Sequence, residues 1–182
     1  MAFAHRTVSL VSHPDTPARA INGVQVRWYE TGAGRLVLRW LITGVDAIAV
    51  PPFAGKGRGE DLWQTTCGEL FLKDRKGTGY REFNFSPSER WAAYRFSGYR
   101  EGRVDEDIPN PEVSSEGGQF LFVLTALLDA SVLEDSAAAG LSAVIEEKDG
   151  TRSYWALAHP PGQPDFHHEA CFALPLPARE AA

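Results

Sequence analysis

The chain has only two cysteines, one methionine and no surplus of positive charge, and each shortage narrows what it can be. Cys67 and Cys171 are too few for a disulfide framework in 182 residues. They read as reduced structural thiols, with a single Cys67–Cys171 bridge as the other option. Lys and Arg number 18 against 24 Asp and Glu, which leaves a net charge of −6. A nucleic-acid surface needs a basic stripe, so no nucleic-acid partner is expected. No apolar run approaches the roughly 20 residues of a membrane-spanning helix, so no membrane partner is expected either. "MAFAHRTVSLVSHPDTPA" has no charged stretch followed by a long apolar region and a cleavage site. That reads as no signal peptide and a cytoplasmic protein.

Long helical periodicity is lacking too; what is present is strand signal. "VQVRWYE" (24–30), "RLVLRWLI" (35–42) and "AIAV" (47–50) are β-branched and aromatic, with Gly-containing turns between them. "DLWQTTCGELFL" (61–72), "YREFNFS" (80–86) and "WAAYRF" (91–96) follow, then "QFLFVLTALL" (119–128), "LSAVIEE" (141–147), "SYWALAH" (153–159) and "ACFALPL" (170–176). Asp149-Gly150 marks a hairpin, because Gly accepts the positive φ of a tight turn. "DSAAAG" (135–140) reads as one helical turn. About ten short strands in a chain of one-domain length predict a single antiparallel β-sandwich over residues 1–182, jelly-roll or immunoglobulin-like. "PPFAGKGRGE" (51–60) and residues 100–118 read as loops over its ends, the first of them mobile and basic.

Alternation gives the strands faces. With Lys73 opposite Tyr80, Phe71 meets Glu82 and Glu69 meets Asn84. With "PSER" closing the next hairpin, Ser86 meets Trp91 and Glu82 meets Arg95. Leu70, Leu72, Phe83, Phe85, Tyr94 and Phe96 then share a core face. Trp63, Cys67, Glu69, Tyr80, Glu82, Asn84, Trp91 and Arg95 collect on the other. Aromatic planes with a few convergent polar groups suit a small polar ligand such as a sugar. The competing reading is a solvated face closed by its own Glu82–Arg95 pair.

Other motifs are weaker. In "HPPGQPDFHH" (159–168), His159, Asp165, His167 and His168 could ligate a metal. Adjacent histidines point apart in extended chain, however, and three prolines favour a rigid loop whose side chains cap backbone groups. Cys67 and His159 would make a nucleophile and base only if they met. "DEDIPNPE" (105–112) could hold calcium, but acidic loops are commonly just solvated.

At "LWQTTCGELFL" and "YREFNFSPSERWAAYRFSGYR" the sequence is similar to the bacterial DOMON-like domain proteins, related to the family-nine carbohydrate-binding modules. The resemblance continues through "LSAVIEEKDGTRSYWALAHPPGQPDFHHEACFALPL" and spans about residues 25–176. It rests on Trp63, Thr66, Cys67, Glu69 and Phe71, on "EFNFSP" (82–87), on Trp91, Tyr94, Phe96, Tyr99 and Arg100, and on Trp155, His159 and "PDFHH" (164–168). Gly68 stands where the pattern commonly has an aromatic, and Gln64 where it has an acid. The resemblance implies a β-sandwich that binds sugar or haem rather than one that does chemistry. Haem ligation through methionine would fall to Met1 alone, and a bis-His site would need two of His5, His13, His159, His167 and His168 to oppose one another, so no cofactor is expected.

The function expected is therefore non-catalytic binding of a small polar ligand, a carbohydrate or glycan fragment. Trp63, Tyr80 and Trp91 would form the platform, and Glu69, Glu82, Asn84 and Arg95 the hydrogen-bonding groups. Arg100, His159 and His168 would stand at the rim. A structural or protein-interaction module is the alternative. A glycan-acting hydrolase using Glu69 and Glu82 is third, weakened because Arg95 beside Glu82 would hold its pKa low.

Overall fold

The computed structural model describes residues 5–179. Its thirteen strands are β1 (His5–Ser12), β2 (Gly23–Glu30), β3 (Arg35–Thr43), β4 (Gly57–Arg58), β5 (Cys67–Asp74), β6 (Tyr80–Phe85) and β7 (Arg90–Phe96), then β8 (Val104–Asp105), β9 (Glu112–Gly117), β10 (Leu121–Asp129), β11 (Ser136–Glu146), β12 (Arg152–Ala156) and β13 (Leu174–Pro175). Helix is confined to short 3-10 turns among the described residues, and none is long and apolar enough to cross a membrane. The chain is all-β. Its strands form one hydrogen-bonded path, β4-β7-β6-β5-β11-β12-β1-β2-β3-β10-β9, which curls strongly on itself. Every pairing is antiparallel except the two-residue bridge of β4 to β7.

Strand β1 is the splice. It pairs with β2 from His5 to Leu10, and then its last two residues, Val11 and Ser12, pair with β12. The curl brings β3 over β11 and β5. The Trp40 indole N–H donates to the Ser142 carbonyl at 2.9 Å, and its ring lies 5.8 Å from that of Phe85. A Cβ on Gly68 would meet the Trp40 ring at 2.7 Å. The missing side chain on β5 is therefore the seat of the Trp40 indole. Val24, Val26 and Trp28 alternate inward along β2 and join Leu38, Leu70, Phe83 and Trp91 in this core. Fully burying such side chains contributes about 1.5–3 kcal/mol each.

β5 and β6 differ from β2, since β6 is buried on both faces throughout. One face meets the core. The other carries a second cluster, including Phe71, Tyr80, Tyr94, Phe96 and Phe166. Two connections cover it, residues 97–103 after β7 and 157–173 after β12.

Several expected elements change identity. "AIAV" is not a strand; a 3-10 turn, Val45–Ala47, leads into an isolated bridge between Ile48 and Glu147. Trp63 sits in a 3-10 turn, Leu62–Gln64, and the strand begins only at Cys67. "DSAAAG" enters β11 rather than turning as helix, and residues 100–118 contain β8 and β9. "AGKGRGE" is fastened down. The Arg58 guanidinium donates to the carbonyls of Ala93 and Glu106 at 3.0 and 2.6 Å and lies 4.6 Å over the Trp91 ring.

The main correction concerns the β6–β7 hairpin. β5 and β6 pair as expected, Glu69 with Asn84 and Phe71 with Glu82. In β7, however, Tyr94 faces Glu82 and Trp91 faces Phe85. The Ser86 N–H donates to the Arg90 carbonyl at 2.9 Å, so the loop is Pro87-Ser88-Glu89, one residue shorter than "PSER". Its last residue, Glu89, has φ of 68°. That is the left-handed third position of a three-residue hairpin loop, usually advertised by Gly. Gly150, φ 86°, fills the same place in Lys148-Asp149-Gly150, where the Glu147 N–H donates to the Thr151 carbonyl. One residue of register exchanges the faces of β7. Tyr94 and Phe96 leave the core face, and Trp91 and Arg95 go to it.

Candidate functional site

The second face of β5, β6, β7 and β11 is the floor of a cleft of about 500 Å³. Glu69 and Glu82 lie diagonally across the β5–β6 ladder, with Tyr94 opposite Glu82. Phe96 and Val144 continue the floor, Trp63 and Tyr154 stand at its sides, and Arg100 and Arg103 come from the connection after β7. The "HPPGQPDFHH" segment forms the remaining wall through Gln163, Pro164, Phe166 and His167.

Four expected residues, Trp63, Glu69, Glu82 and Arg100, line this cleft. Trp63 is 45% exposed at the mouth, whereas Glu69 and Glu82 are 3% and 6% exposed. Tyr80 and Asn84 stand behind the lining and hold it. The Tyr80 ring stacks on Phe96 at 4.7 Å and 9°, and its hydroxyl is 2.7 Å from His167 Nδ1. It therefore packs within the face and is not an open platform. Asn84 Nδ2 donates to Glu82 Oε1 at 2.8 Å, while its own Oδ1 is buried without a partner.

The other four lie elsewhere. Trp91 is in the core under Arg58, and Arg95 pairs with Glu106 at 3.0 Å and Asp74 at 3.2 Å, not with Glu82. Both follow from the shorter β6–β7 loop. His159 hydrogen-bonds the Val11 carbonyl at 2.8 Å and meets the His13 ring edge-on at 4.8 Å. That contact ties the segment after β12 to β1 and leaves no gap for a porphyrin between the two imidazoles. His168 caps the 3-10 turn Glu169–Cys171, accepting from the Ala170 N–H at 3.1 Å. Its neighbour His167 points the other way, into the cleft. The alternation rule separates the two but does not say which one faces the site.

His167, Arg103, Tyr94, Phe96, Tyr154 and Phe166 were not among the expected site residues. The left-handed Glu89 hid Tyr94 and Phe96. Folding of the connections over the sheet, a long-range event, brought in the others. Asp165 anchors that folding. It accepts from Arg100 Nη2 at 2.8 Å, from the His167 N–H at 3.2 Å and from the Tyr99 hydroxyl.

The cleft's charges are unevenly matched. Burial, and then the like charge of Glu82, push the Glu69 carboxyl well above the usual range. The Ser142 hydroxyl directly across on β11 opposes this, although its buried oxygen forms no well-aligned hydrogen bond. Burial also raises Glu82, against the Asn84 amide and the positive charges of Arg103 and Arg100. His167 falls to about 4, first through burial and then through Arg100, with Asp165 opposing. The Tyr80 oxygen accepts from the Arg100 N–H at 3.1 Å, so its own proton is directed to His167 Nδ1 at 2.7 Å. The neutral imidazole then carries its proton on Nε2, 3.7 Å from Glu82 Oε2. Arg103 lies 4.1 Å over the Tyr94 ring and forms no ion pair among the described residues.

Neither Cys67 nor Cys171 is in a disulfide; both are buried thiols, and burial pushes Cys171 up to about 12. A thiol held so far above neutral pH is a packing group, not a nucleophile. No group of three His, Cys, Asp or Glu side chains suited to a metal occurs among the described residues.

No protein-family model matches the chain, and no curated protein matches its sequence. Among solved structures, the fold is similar to that of a "putative carbohydrate-binding protein" from Bacteroides uniformis. The TM-score is 0.62 over 92% of this chain and 84% of the other, at 17% sequence identity. At that identity the likeness is one of fold.

Proposed function

We propose that this cleft binds a small polar ligand, a carbohydrate or glycan fragment, without transforming it. The reading includes a β-sandwich of the DOMON-like, family-nine-related type acting in the cytoplasm. The observation that carries it is the cleft itself: two nearly buried carboxylates on a floor walled by Trp63, Tyr94, Phe96, Tyr154 and Phe166. Aromatic rings cover the C–H faces of a sugar, while carboxylate and guanidinium groups take its hydroxyls. The carbohydrate-binding description of the Bacteroides neighbour supports the same class. A purely structural polar face is disfavoured because, among the described residues, Glu69 has no ion pair and no well-formed hydrogen bond, the Ser142 hydroxyl alone acting on it as a donor. Thermal-shift screening against glycans and nucleotide sugars tests the proposal. Binding should raise the melting temperature, and Glu82→Ala should abolish the rise. A panel with no stabilising member, and no difference between variant and parent, refutes it.

One observation favours hydrolysis as a second reading. Arg95 is not beside Glu82, and although Arg103 and Arg100 draw Glu82 down, burial leaves both cleft carboxyls raised. Release of new reducing ends from glycans, lost in both Glu69→Gln and Glu82→Gln, would establish it. Binding without any such release would exclude it for those glycans.

A further inference from the structure

Glu69 lines the cleft and is 3% exposed, and among the described residues only the Ser142 hydroxyl acts on it as a donor, without a well-formed hydrogen bond. Its situation differs from that of Glu82, which has the Asn84 amide at 2.8 Å and two guanidinium groups acting on it. The charge that acts on Glu69 is the like charge of Glu82. A buried carboxylate without a counter-ion is costly, and a second carboxylate nearby makes it costlier. The group lines the cleft, so a ligand bound there can supply the donor and the charge that the protein does not. Hydroxyls can donate to one carboxylate, but they do not relieve repulsion between two. A positive charge does. The walls suit a cation as well, because the aromatic rings of Trp63 and Tyr154 line the cleft and such rings attract one electrostatically.

We propose that the cleft floor is an ammonium subsite. The ligand carries a protonated amine that lies against Glu69 and Glu82, so the carbohydrate it belongs to is an amino sugar with a free amine. The sugar part of this statement rests on the carbohydrate reading above; the ammonium part does not. Arg100 is ion-paired with Asp165 at 2.8 Å, which holds its guanidinium on that partner while its charge still reaches Glu82. Arg103, held over Tyr94 at the cleft wall and free of ion pairs, lies on the side where an anionic substituent of the same ligand would be accommodated.

Protons should move on binding. The titratable and charged groups that bear on Glu69 are Cys67 on its own strand, Glu82 on β6 and Tyr94 on β7, with Arg100, Arg103 and His167 from the covering connections. An ammonium placed against Glu69 draws that carboxyl to its ionised form and releases up to about one proton.

The test is calorimetric titration of the full chain at pH 6.5 with glucosamine, galactosamine and mannosamine. Each is compared with its parent hexose and its N-acetyl form, and 1,4-diaminobutane serves as an amine without a sugar. At least one amino sugar should bind roughly tenfold or more tightly than its neutral counterparts. Its heat should depend on the buffer's ionisation enthalpy, as proton release requires. Glu69→Gln should erase both the preference for the amine and the proton release. Thermal unfolding shows whether that variant is folded, and Glu82→Gln supplies a second loss of charge at the same place. Sugars that bind with no preference for the amine overturn the ammonium subsite and leave the carbohydrate reading standing. Diaminobutane that binds in a Glu69-dependent way, with no sugar binding, upholds the subsite and overturns the carbohydrate reading. Failure of every probe to bind overturns the ammonium subsite, while the carbohydrate reading stands or falls on the glycan and nucleotide-sugar panel.

Discussion

His167 offers a sharp check on the cleft's electrostatics. An unfolded histidine takes its proton near 6.5, whereas burial and Arg100 lower this one to about 4 in the fold. Between those values the unfolded chain holds the extra proton, so stability falls as pH falls. The gap is about 2.5 pH units and is worth about 3 kcal/mol at 1.36 kcal/mol per unit. No large discount for solvent applies, since the side chain is 15% exposed. Glu69 and Glu82 work in the opposite sense. Their carboxyls are raised, so the fold takes up protons before the unfolded chain does, and stability is regained on acidification. The histidine contribution must therefore be read as a difference. His167→Asn keeps an oxygen able to accept from the Tyr80 hydroxyl and removes the titration. Urea unfolding of both proteins at pH 7 and pH 4 should show the parent losing about 3 kcal/mol more than the variant. The His167 ring proton, followed by NMR, should titrate near 4. Equal losses within about 1 kcal/mol, or a midpoint near that of free histidine, would refute the described burial and the assignment of His167 to the cleft wall.

Four further outcomes follow from the packing. Gly68→Ala forces a Cβ to within 2.7 Å of the Trp40 ring and should cost about 1–3 kcal/mol in denaturant unfolding; an unchanged midpoint would mean that Trp40 does not sit on β5. Glu147 accepts from the Arg19 and Ala20 N–H groups at 2.8 and 2.9 Å, so Glu147→Ala should cost about 1.5–3 kcal/mol and raise hydrogen exchange at those two amides. Glu89→Gly relieves a left-handed residue, φ 68°, and should stabilise by about 0.5–1 kcal/mol; destabilisation would count against the three-residue loop. Glu69→Gln should raise the melting temperature of the free protein at pH 8, where the buried charge costs most, and a fall would show that the carboxylate is satisfied within the fold.

The legible part of the site was the part built by neighbours in sequence. Alternation in "CGELFL" and "YREFNF", with a short turn between, was enough to pair Glu69 with Asn84 and to put both on the face away from Leu70 and Phe83. The next hairpin failed because its decisive residue is a glutamate in a conformation that glycine usually announces. Lys148-Asp149-Gly150 has the same loop geometry, and its hairpin is legible because there the glycine is visible, although the loop has three residues where the pair suggests a tight primed turn.

By itself, then, the sequence determined an all-β chain, the β5–β6 register and the carboxylate pair on one sheet face, since period-two patterning and turn chemistry act over a few residues. Tertiary structure alone decided the curl that seats Trp40 on Gly68, the face that β7 presents, and the cover that makes a cleft of a sheet face. His167, Arg103 and Phe166 reach Glu82 and Glu69 because Asp165 fastens one connection to the other, about 65 residues apart in the chain. Such contacts depend on where the whole sheet puts its loops, and no local pattern encodes that.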